Sequence, residues 1–95
     1  MDMLEFYKFH GITRSRFAHM IGVNPATLKH FEIGHDISFE SKLRIEIGIE
    51  ILEDLKIIYH DRTNSELSYS DIRNEREKSD SLFSNTFNRI ILIEL

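Results

Sequence analysis

Apolar side chains recur at three- and four-residue spacing in short blocks closed by glycines, and that rhythm divides residues 1–60 into helices. Asp2 caps a first helix that runs through His10, with Met3 and Phe6 on one face and Gly11 closing it. Ile12 plugs the bend. Thr13 caps a second helix, "RSRFAHMIG", in which Phe17, Ala18 and Ile21 share a face, Arg14, Arg16 and His19 stay outside, and Gly22 ends the run. After the turn at Gly22, Val23 and Asn24 comes "NPATLKHFEIG". Asn24 is its cap, Pro25 fits the first helical position, Leu28 and Phe31 point inward, and Gly34 offers the stop. A helix this short is marginal alone in water and must dock on a neighbour.

The stretch "LRIEIGIEILEDLKII" carries two periods at once. Ile45, Ile47, Ile49 and Ile51 alternate as in a half-buried strand, while Leu43, Ile47, Ile51 and Leu55 fall at four-residue intervals. Length decides for a helix from Phe39 to Ile58, capped by Ser38, because the pattern outruns a single strand of a small domain. Its apolar residues are spread widely enough to bury it on two sides, which suggests a subunit interface. From His60 to about Asp80 the chain turns polar and reads as a solvated connector or weak helix. Leu82, Phe83, Phe87, Ile90 and Ile91 then restore an amphipathic helical spacing, against which "RIILIEL" has the β-branched content of a terminal strand. The expected division is therefore 1–60, a connector 61–80, and a C-terminal segment 81–95 that either caps the core or pairs with a second subunit or another protein.

Composition narrows the function. At 95 residues and 41% hydrophobic content, the chain is one small domain's worth of sequence. The absence of cysteine excludes disulfides and thiolate metal sites. No apolar run approaches the roughly 20 residues that span a bilayer, so the expected setting is cytoplasmic, without membrane contact. The net charge is −4, which taken alone argues against nucleic acid. The charge is uneven, however. Through His35 there are four basic and three acidic residues (net +1) and four of the five histidines; from Asp36 onward there are eight basic and thirteen acidic (net −5). Only the N-terminal third suits a phosphate backbone.

Two short helices joined by a glycine-led turn form the helix-turn-helix arrangement. The segments "GIT", "FA", "IGV", "NPATLKHF" and "EIG", in unbroken spacing from Gly11 to Gly34, resemble the Cro/C1-type (XRE) helix-turn-helix family. The resemblance implies an all-α, lambda-repressor-like bundle of four to five helices, here with a C-terminal extension as helix or terminal strand. It also implies a DNA-binding transcriptional regulator, expected to be a repressor or autoregulator acting as a homodimer on double-stranded DNA in a prokaryotic or phage setting. Carried over by position, Arg14 touches phosphate or a base edge, while Pro25, Ala26, Thr27 and His30 face the major groove with Lys29 beside them. Ala26 and the Thr27 methyl suit a thymine methyl and His30 a purine edge. Arg16 on the second helix and Asn24 at the cap complete the candidate DNA-binding set.

The sequence departs from the family pattern in three places. The family often pairs the glutamate of "E-x-G", here Glu32, with an arginine on the first helix, where Tyr7 stands. A buried carboxylate without a cation is costly, so Glu32 must lean to solvent, accept the Tyr7 hydroxyl, or be protonated. Ser38 stands where the family has proline, and "Ile47-Gly48" fits the family's apolar-small pair only after a one-residue shift. The histidines lack the spacing of a helical metal site, and Glu46, Glu50, Glu53 and Asp54 form a charged helix face without converging as catalytic carboxylates do. No enzyme, metal or cofactor is expected. Two rival readings stand beside the regulator. One is an antitoxin that binds its operator DNA through the same domain while its acidic half holds a toxin; the other is an antirepressor-like module that binds a protein, such as a repressor, and no longer binds DNA.

Overall fold

The computed structural model describes residues 2–59 and 69–94, the side chains of the second span from Glu77 onward. Five helices follow one another: α1 (Met3–His10), α2 (Arg14–Ile21), α3 (Pro25–Glu32), α4 (Phe39–Asp54) and α5 (Tyr69–Glu94). No strand occurs among the described residues, so the all-α expectation holds and the terminal-strand alternative does not.

The caps are where the side-chain chemistry puts them. Asp2, Thr13, Asn24 and Ser38 each accept a hydrogen bond from a first-turn amide, that of Leu4, Arg16, Ala26 and Ser41 respectively. All four helices α1 to α4 end in the same closure, in which the amide just after a residue of positive φ reaches back into the last turn. The pairs are Ile12 to Tyr7, Val23 to Ala18, His35 to His30 and Ile57 to Leu52, at 2.9–3.1 Å. Gly11, Gly22 and Gly34 supply the required positive φ in the first three, and Lys56 supplies it in the fourth, at φ 53°. This ends α4 at Asp54, four residues before the expected Ile58. The sequence carries no glycine at that closure to mark it.

The core is one cluster shared by all five helices, with Phe6, Tyr7, Phe17, Ile21, Leu28, Ile45, Leu52 and Phe83 among its members. Gly48 lets α4 approach α2. A Cβ there would lie 2.6 Å from Ile21 Cγ2 and 3.0 Å from Phe17 Cζ. His10 is buried, and its Nδ1 donates to the Ile57 carbonyl at 2.6 Å while the Tyr59 amide donates to the His10 carbonyl at 2.6 Å, so the segment after α4 is fastened to the end of α1.

Burial of α4 on two sides is satisfied within the chain: α2 and α3 contact it, and so does α5, which sets Phe83, Phe87 and Ile91 into the same core. Phe83 and Phe87 stack with ring centroids 5.5 Å apart. Their four-residue spacing keeps them on one face of α5, so this end of the chain caps its own core. Residues 69–80, read from sequence as connector or weak helix, form the first part of α5, while 60–68 lie outside the described residues. No helix among the described residues is long and apolar enough to cross a membrane.

Candidate nucleic-acid interface

The turn from Gly22 to Asn24 brings α3 back against α2, with Leu28 fully buried beneath it. What remains outside is the expected surface. Asn24, Pro25, Ala26, Lys29 and His30 are exposed and Thr27 is half-buried. The Asn24 side chain is already committed as a cap, accepting from the Ala26 amide at 2.8 Å. His30 lies beside His35, their ring centroids 5.5 Å apart, which adds a second imidazole to this face. Among the described residues no cluster of three histidines, cysteines or carboxylates is placed to hold a metal ion.

The two arginines of the candidate set have partners inside the chain. Arg14 Nε donates to Glu32 Oε2 at 2.6 Å and its Nη2 donates to Oε1 at 2.8 Å, a planar fork that matches the carboxylate. The Tyr7 hydroxyl donates to the same Oε2 at 2.9 Å. The missing first-helix cation of Glu32 is thus replaced from α2, and the carboxylate also accepts the Tyr7 hydroxyl. The Arg14 hydrogen bonds are the main reason the Glu32 pKa falls below the ordinary carboxylate range; burial opposes them and the Tyr7 hydroxyl assists. Burial first, and then the bond to Glu32, pushes the Tyr7 phenol well above its usual value. Arg14 itself is held more firmly in its charged form, chiefly by Glu32.

Arg16 makes a second internal tie. Its Nη2 lies 2.9 and 2.8 Å from the two carboxylate oxygens of Asp80 on α5, and its guanidinium carbon sits 5.6 Å from the centre of the Tyr59 ring. The positive charge left to the outer face of α3 is therefore that of Lys29, with neighbouring histidines. Sequence reasoning also missed Arg44, whose Nη1 donates to the Ile21 carbonyl at 3.2 Å and so satisfies the end of α2. Its only sequence signal is Glu40 four residues earlier, with which it pairs at 3.3 Å.

The geometry thus joins a small exposed helix tip to an internally neutralised base. Comparison with known proteins finds no matching family model, no matching curated protein and no matching solved structure.

Proposed function

We propose that this chain is a sequence-specific DNA-binding regulator of the Cro/C1 helix-turn-helix type, acting as a homodimer. In this reading α3 enters the major groove and the first turns of α2 and α3 lie at phosphates. The observation that carries it is the face of α3. Its buried side holds Leu28, its outer side offers small residues and Lys29 and His30, and its one carboxylate, Glu32, is turned away into an ion pair. A short helix with small residues at its exposed tip allows close approach to base edges. The exposed side chains Phe39 on α4 and Leu92 on α5, at 77% and 80%, offer apolar surface for pairing two such units.

The test is binding to fluorescent duplexes drawn from a genomic pool, across a salt series. Under this reading log affinity falls linearly with log salt, at roughly 0.9 per phosphate neutralised. Absence of binding by the folded protein at low salt would refute it.

One observation favours a second reading. Arg14 and Arg16 are both engaged internally, which leaves the α3 face with little charge for phosphate. A domain that kept this arrangement but docks a protein instead of DNA, as an antirepressor would, accommodates that. The same salt series separates the two.

A further inference from the structure

A groove of about 340 Å³ runs between α4 and α5, with Ile51, Leu55, Thr86 and Ile90 as its apolar lining and Glu50, Asp54 and Glu94 at its edges. No basic residue lines it, and none of the three carboxylates forms an ion pair among the described residues. On α5 the apolar wall extends past the groove: Leu82, Thr86, Ile90 and Ile93 follow one another at four, four and three residues, so they share a helix face, and Leu82 and Ile93 are exposed. On α4 the acidic wall extends likewise, with Glu46, Glu50 and Asp54 at four-residue intervals beside the apolar row Ile47, Ile51 and Leu55.

That acidic row is unfavourable for the free protein. Like charges four residues apart on a helix repel. Glu53 and Asp54 also sit at the negative end of the α4 macrodipole, where the last turn has no basic residue. Residues that weaken their own helix and have no ion-pair partner among the described residues mark a surface suited to a complement beyond those residues. A second copy meeting this groove across a two-fold axis would place the same three carboxylates opposite themselves, so the charge selects a different polypeptide.

We infer that the α4–α5 groove receives an amphipathic helix of another protein, one whose apolar stripe is flanked by lysine or arginine. The apolar lining takes the stripe and Glu50, Asp54 and Glu94 take the basic flanks, a helix-in-groove mode with charge complementarity fixing the partner. The inference does not depend on whether α3 meets DNA.

The probe is a synthetic leucine–lysine helix with leucines at i, i+4 and i+7, titrated into methyl-labelled full-length protein. A matched peptide with glutamate in place of lysine serves as control. The expected result is saturable movement of the Ile51, Leu55, Thr86 and Ile90 methyl signals, at least tenfold weaker binding to the E50Q/D54N/E94Q variant, and no response to the glutamate peptide. The three edge positions are outside the core, so circular dichroism should show that variant folded. Equal binding of both peptides, unchanged binding by the variant, movement confined to other methyls, or no binding would each overturn the inference. So would sedimentation of the free protein as a dimer in which these methyls are the ones protected.

Discussion

Arg14 and Glu32 face each other as a fork and a carboxylate, 2.6 and 2.8 Å apart at the two hydrogen bonds, joining the first residue of α2 to the last of α3. The pose of α3 on α2 is thereby held at both ends, by the turn Gly22–Asn24 at one and by this pair at the other. Breaking it at neutral pH is expected to cost about 2–3 kcal/mol. Because the folded-state pKa of Glu32 is depressed, its stabilisation is present above the unfolded carboxylate value of about 4.3 and is lost as pH falls through the folded one. Denaturant melts of Glu32→Gln against the parent should show a gap at pH 7 that narrows in acid. A constant gap would assign the loss to shape instead of charge.

Tyr7 gives the alkaline counterpart. Its phenol is buried, its ionisation is pushed upward, and its hydroxyl donates to Glu32. The folded state therefore keeps the proton after the unfolded chain has begun to lose it at about pH 10, and stability declines as pH rises beyond that point. Tyr7→Phe should cost about 1 kcal/mol near neutrality and flatten the alkaline decline, measured by the same melts between pH 8 and 11.

The local part of this fold is written in local signals. Asp2, Thr13, Asn24 and Ser38 announce four helix starts through their own side-chain oxygens, and Gly11, Gly22 and Gly34 close three ends. The ties between helices have no period. Arg14 and Glu32 are 18 residues apart and Arg16 and Asp80 are 64 apart, so each arginine reads from sequence as a free surface cation. The candidate face of α3 was legible because exposure follows from the helix period once Leu28 is taken as inward. Its low charge was not, because that depends on which arginines the fold recruits.

The end of α4 was hidden by a local gap, a lysine where the other closures carry glycine, and that makes Lys56 testable. A lysine at φ 53° is strained where glycine would not be, by about 1–2 kcal/mol. Lys56→Gly should therefore raise stability by about 0.5–1 kcal/mol after the added freedom of the unfolded chain is subtracted. Thermal and urea midpoints should both rise. A fall would mean that Lys56 contributes contacts outweighing its backbone strain.

Gly48 should behave in the opposite way to its helix propensity. Alanine in a helix interior is favoured over glycine by about 1 kcal/mol. Here the new methyl would meet Ile21 Cγ2 at 2.6 Å and the Phe17 ring at 3.0 Å, and both neighbours are fully buried. Overpacking costs typically about 1–3 kcal/mol, so Gly48→Ala is expected to be net destabilising by about 1 kcal/mol. A gain in stability would show that α4 can move away from α2 at no cost.

Lys29 and Arg14 both look like phosphate contacts in the sequence, and the structure separates them. Lys29 is exposed and none of its hydrogen bonds or ion pairs is seen among the described residues, whereas both donor groups of the Arg14 fork are spent on Glu32. Lys29→Ala should leave the melting midpoint unchanged, weaken duplex binding across all sequences, and reduce the salt slope by about 0.9. Arg14→Lys keeps the charge but loses the two-point geometry. It should lower the melting midpoint while leaving the salt slope of the still-folded fraction intact. If instead Arg14→Ala reduces the slope of its folded fraction by about 0.9 while Arg14→Lys does not, the guanidinium leaves Glu32 on binding, and the ion pair is a resting partner that phosphate displaces.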